Sequence, residues 1–119
     1  MDDAKRACVA MVCCMLKSRN RYYNSVYDFK RGKHCFYGVN TTGKNSVGVY
    51  DYDRKVFFQG TIPIFFDNAS SSFVHLREEG EGMSGYDFQS GQYFIVSINE
   101  NIVSIYDNEF ASYYHYAVG

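Results

Sequence analysis

At 119 residues the chain is long enough for one domain, residues 1–119, that buries roughly two thirds of its unfolded surface without metal or disulfide staples. Tyr and Phe contribute 12 and 10 residues, Trp none, and hydrophobic residues make up 46%, a composition that excludes disorder and predicts an aromatic core. The formal net charge of −1 conceals an asymmetry, because residues 1–44 carry nine Lys or Arg against three Asp or Glu while residues 45–119 carry three against ten. Either the basic first part lies against an acidic sheet, within one chain or between subunits, or it forms a basic face for an anionic partner.

The first predicted element is a helix, capped by Asp2 or Asp3 and carried by Ala, Met, Leu, Lys and Arg to about Arg19. From Ala7 to Leu16 ten consecutive apolar residues leave it no polar face. One sheet face covers only about half of such a helix, so Met11, Val12 and Met15 are expected to be covered by a second copy in a homo-oligomer. Acidic residues before the run and Lys17-Ser18-Arg19 after it do not fit a secretory signal, and ten apolar residues cannot span a bilayer. A cytoplasmic protein with reduced thiols and no membrane partner follows.

Alternation predicts strands at 25–29, 34–39, 46–52 and 56–59, with Ile62–Phe66 extending the middle pair and Pro63 marking an edge or a bend. Residues 73–77 form a further strand. Glu78 to Gly91, with four glycines and four acidic residues, reads as a mobile loop. The chain closes with a meander, Gln92–Ile98, Ile102–Tyr106 and Tyr113–Val118, whose first strand is apolar at both parities and is expected to be covered on both faces. Val47–Asp53 aligns with Val103–Glu109, suggesting two similar meanders. The fold class is α+β: an N-terminal helix packed on a strongly curved antiparallel sheet of about six or seven strands, barrel-like if it closes.

Chemistry-bearing patterns are sparse. Gly80-Glu81-Gly82-Met83-Ser84-Gly85 has dinucleotide-loop spacing but no helix after it, and its glutamates repel phosphate. Cys13 and Cys14 are adjacent and no Cys-x-x-Cys exists, so no structural metal and no cofactor are expected. His34-Cys35 would face opposite sides of a strand. Asp51, Asp53, Asp107 and Glu109 could pair as acids, yet Asp is common in turns because it bonds its own backbone. His75, His115, Tyr50 and Tyr106 are candidates to line a small-molecule cavity. Arg19, Arg21, Tyr22, Tyr23, Lys30 and Arg31 mix phosphate-binding and base-stacking side chains and are candidates for nucleic-acid contact. No catalytic constellation emerges. The reading favours a non-enzymatic binding or interaction module; the alternative is a small-molecule-binding protein or enzyme with a Tyr/His-lined cavity between helix and curved sheet.

Overall fold

An aromatic residue followed by Asp, with another aromatic or His at the seventh residue after that aromatic, is a pattern that recurs five times. The copies are Tyr27-Asp28 with His34, Tyr50-Asp51 with Phe57, Phe66-Asp67 with Phe73, Tyr86-Asp87 with Tyr93, and Tyr106-Asp107 with Tyr113. In the computed structural model, which describes residues 1–20 and 22–119 (Thr41 and Thr42 in backbone only), each copy is the tip of a β-hairpin. The last residue of each turn, Gly32, Lys55, Ser71, Gly91 or Ala111, takes a left-handed conformation with φ between 50° and 70°. Strand alternation then turns the aromatic outward and the Asp inward.

Helix α1 (Asp3–Ser18) precedes ten strands among the described residues: β1 (Ser25–Asp28), β2 (Lys33–Gly43), β3 (Ser46–Asp51), β4 (Val56–Thr61), β5 (Ile64–Asp67), β6 (Ser72–Glu79), β7 (Gly82–Asp87), β8 (Gln92–Asn99), β9 (Ile102–Asp107) and β10 (Ser112–Val118). Each pairs antiparallel with the next, and β1 pairs with β10, so the meander closes into a barrel without free edges. Eight strands enclose a space that side chains alone can fill. Ten leave a wider lumen, and α1 occupies it.

That placement explains why the helix is apolar around its whole circumference. Every residue from Lys5 to Leu16 is buried, surrounded by the inward residues of the barrel, among them Val26, Val49, Phe58, Phe65, Leu76, Phe94, Val96, Ile105 and Tyr116. The expectation that Met11, Val12 and Met15 need a second copy is thereby corrected: all three are 0% exposed inside their own barrel. The expected six or seven strands could not enclose a helix, whereas ten can.

Two further expectations change. Glu78 to Gly91 is not a loop but the end of β6, the whole of β7 and two tight turns. Its glycines serve close packing: a Cβ at Gly85 would lie 2.2 Å from the Phe94 ring, and one at Gly82 would lie 2.2 Å from the Val96 carbonyl oxygen. The strand Gln92–Asn99 is covered on one face only, since Phe94 and Val96 point into the barrel while Tyr93 and Ile95 stand 65% and 54% exposed. Pro63 sits in the turn between β4 and β5.

The five aspartates gather at the end of the barrel where α1 begins. Asp28, Asp51, Asp67, Asp87 and Asp107 are all buried, and each accepts backbone N–H groups of its own turn, as Asp51 Oδ1 does from Asp53 and Arg54. Their remaining charge meets cations. Arg31 Nε lies 2.5 Å from Asp28 and Lys5 Nζ 2.5 Å from Asp87. Arg54 bridges Asp51 at 2.7 Å and Asp67 at 3.1 Å. Arg6 Nε and the Met1 amino group reach Asp107 at 3.1 and 2.9 Å, and the same amino group also contacts Glu109. Arg6 additionally lies 3.6 Å over the Tyr114 ring. The basic first part of the chain thus does lie against the acidic sheet within one chain, and the positive end of the helix dipole faces the same carboxylates.

Removing one member of a buried pair strands the other, so Lys5→Met should cost about 3–5 kcal/mol in urea unfolding, and adding Asp87→Asn, which keeps the turn's acceptor, should restore much of it. Strict additivity of the two losses would contradict the pairing. Burial pushes the Asp87 carboxyl up, but hydrogen bonds from Lys5 and Ser90 outweigh it and hold the group below its ordinary value. A depressed carboxyl contributes stability above its unfolded pKa of about 4 that is lost as pH falls through the lower folded value. Stability should therefore decline on acidification below about pH 4, and less steeply in Asp87→Asn; a protein that gains stability there would refute the assignment.

Candidate functional site

With the lumen occupied by the helix, the chain's remaining recognition chemistry lies on the outer wall. The outward members of the five hairpins form cross-strand ring pairs of nearly constant geometry: Tyr27–His34, Tyr50–Phe57, Phe66–Phe73, Tyr86–Tyr93 and Tyr106–Tyr113 have centroids 4.8 to 5.0 Å apart, inclined by 64° to 68°. Edge-to-face pairs of this kind contribute about 0.5–1.5 kcal/mol each beyond burial. One such pair occurs per repeat, so aromatic rings encircle the barrel above its aspartate floor.

The wall is concave across β6, β7 and β8, where a groove of about 790 Å³ opens to solvent. Register builds it from two outward rows. His75, Tyr86 and Tyr93 lie side by side in one, and Arg77, Ser84 and Ile95 in the next. Phe88 extends the aromatic row, packing edge-on against both His75, at 5.2 Å, and Tyr86, at 4.9 Å. Arg77 Nε donates to Ser84 Oγ at 3.0 Å, which fixes the guanidinium along the wall. Leu76, Gly85 and Phe94 lie between the rows, and Glu79 and Asn108 stand at the rims. Phe88 is 52% exposed. The arrangement offers half-exposed ring faces beside hydrogen-bonding groups of both polarities.

Of the four cavity candidates, His75 lines this groove and Tyr106 lies directly across from Ile95 at its side. Tyr50 belongs to the β3–β4 hairpin, and the His115 ring, outward on β10, shares a 2.8 Å hydrogen bond with Ser104. All four stand on outward strand positions, so they do not line a space between helix and sheet. The acidic group is likewise divided: Asp51 and Asp107 are floor residues, whereas Asp53 pairs with Lys33 at 2.8 Å on the surface. Among the described residues no cluster of His, Cys, Asp and Glu is placed to hold a metal ion.

The nucleic-acid candidates do not assemble. Arg19 caps the far end of α1, donating to the Lys44 carbonyl at 2.7 Å, and Tyr22 beside it is 94% exposed while Tyr23 packs on the core. Lys30 and Arg31 sit at the opposite end, a helix length of about 24 Å away, each engaged by a carboxylate, Asp3 and Asp28. Arg21 lies outside the described residues. Sequence reasoning misses Tyr86, Phe88, Tyr93, Arg77 and Ser84 because the segment holding several of them has the composition of a loop; the seven-residue spacing from Tyr86 to Tyr93 is the signal that locates the hairpin.

No protein-family model matches the chain, and neither a curated protein nor a solved structure matches it. No helix among the described residues is long and apolar enough to cross a membrane.

The cysteines are separate from the groove. Cys8, Cys13, Cys14 and Cys35 are free and buried, and burial pushes all four thiols up, Cys14 to about 11. The Arg54 and Arg31 guanidinium groups, 3.2 Å from Cys8 and Cys35, only partly offset this. All four should resist maleimide at neutral pH and react only on unfolding. Rapid modification of any one in the native protein would show that the interior is open.

Proposed function

We propose that the chain is a small non-catalytic binding module whose recognition surface is the outer wall of the barrel, centred on the groove across β6, β7 and β8. The carrying observation is the concave grid of His75, Tyr86, Phe88, Tyr93 and Ile95, large rings and an aliphatic chain left in water beside Arg77 and Ser84. Tyr93 and Ile95 have no structural task inside the core, since their strand is anchored by Phe94 and Val96 on the other face. The closed barrel supports the same reading: it offers a rigid platform, and its exposed aromatic positions change without disturbing the helix-filled lumen. The alternative of a ligand cavity between helix and sheet loses its support, because α1 fills that space. Four unpaired cysteines support the expected cytoplasmic location.

An amide NMR titration tests the reading with a panel of chemically unlike probes: a neutral linear oligosaccharide, N-acetyl-phenylalanine amide and a mononucleotide. At least one should perturb amides of β6–β8 around Ser84 and Tyr93, and Tyr93→Ser with Ile95→Ser should abolish the effect while changing folding stability by no more than about 1 kcal/mol per cross-strand contact. Perturbations absent for every probe, or centred on α1, would overturn it.

A further inference from the structure

The groove's chemistry also narrows what it binds. Resting on the reading of this groove as the recognition site, we propose that its ligand is an uncharged saccharide chain, bound without cleavage. An extended peptide ordinarily gains affinity by adding a strand to a sheet edge, and a closed ten-stranded barrel has no edge to offer. A phosphate-bearing chain is disfavoured because the one cation lining the groove, Arg77, is accompanied by Glu79, with Glu78 and Glu81 beyond it. Charge therefore selects a neutral ligand. The exposed rings and the polar groups beside them suit a partner that offers flat apolar faces and many hydrogen bonds together. Pyranose rings meet both needs: their axial C–H bonds carry partial positive charge that lies against the negative faces of Tyr and Phe rings, while their equatorial hydroxyls donate and accept around the edge. Tyr93 and Phe88, 65% and 52% exposed, provide the ring faces, and Arg77, Ser84 and Asn108 provide donors and acceptors at the side.

The groove lies open on the barrel's outer wall, which suits a segment within a longer chain rather than an enclosed single sugar. Glycoside hydrolysis ordinarily uses two carboxylates facing each other across the bond. Glu79 is the one carboxylate lining this groove, since Asp87 of the same hairpin points to the floor and is held by Lys5. The site is thus equipped to hold a polysaccharide and not to cut it.

Titration of the full chain with neutral β-1,4- and α-1,4-linked glucose oligomers, followed by amide NMR, tests this. At least one series should shift Ser84, Tyr93 and Ile95 with affinity rising with chain length, and with no new reducing ends released. Tyr93→Ala should weaken that affinity by about tenfold or more, whereas Phe36→Ala, a ring 58% exposed on β2 at the other side of the barrel, should leave it unchanged; matching native spectra of both variants confirm that folding is intact. If N-acetyl-phenylalanine amide shifts the groove and no oligosaccharide does, the saccharide assignment is overturned while the groove remains a site. If no probe shifts it, both are overturned, and equal affinity in Tyr93→Ala would overturn the assignment to this groove.

Discussion

Everything in this molecule depends on the buried pairing at one end of the barrel, where five aspartates from five hairpin turns meet Lys5, Arg6 and the Met1 amino group of the helix start and two arginines of the turns. Each carboxylate has two tasks. Each closes its own turn by accepting backbone N–H groups, and each also holds a cation: Asp87 and Asp107 hold cations of the helix start, Asp51 and Asp67 share Arg54 across neighbouring hairpins, and Asp28 holds Arg31 of its own turn. Taking so many charges out of water costs several kcal/mol per ion, and the cost is offset only if every partner is present and hydrogen-bonded. The arrangement therefore specifies register: a strand slipped by one residue would send its Asp outward and its aromatic inward, leaving cations buried and unpaired.

Helix and barrel are conditional on each other. An apolar helix without a polar face is insoluble alone, and a ten-stranded barrel without its helix encloses a lumen that ten strands cannot fill with their own side chains. The helix begins at the aspartate floor with basic residues in its first turn, contrary to its own dipole, and those residues are tolerated because the carboxylates await them. At the other end Lys17 and Arg19 tie the helix to the Gly80 and Lys44 carbonyls. With stability assigned to the interior, the outward side chains are released from it, and the groove across β6–β8 is where that freedom is combined with concavity.

Much of this was legible in the sequence. The helix and its cap at Asp2 or Asp3, most strands, the turn role of Asp51 and Asp107, and the pairing of a basic head with an acidic sheet all follow from local chemistry, whereas local chemistry does not decide whether that pairing lies within one chain or between two. What failed was counting. Gly82 and Gly85 resemble loop residues until the Phe94 ring and the Val96 carbonyl that replace their side chains are known, and with β7 lost and Ile62–Phe66 taken only as an extension of the middle pair, the expected count of about six or seven falls well short of the ten strands that close around the helix. With so few strands the apolar circumference of α1 demands a second copy, where ten strands let its own barrel cover it. The groove was illegible for the same reason: it straddles β7, and only register brings Arg77, Ser84 and Ile95 into one row beside His75, Tyr86 and Tyr93.

Native-state amide exchange of α1 tests the central claim that the helix is the core of a closed barrel. Amides from Cys8 to Leu16 are predicted to exchange only through global unfolding, with the same free energy and the same denaturant dependence as the slowest amides of β8 and β9. A helix that exchanges through its own smaller opening, well before the barrel strands, would contradict that account and return α1 to the surface of the sheet.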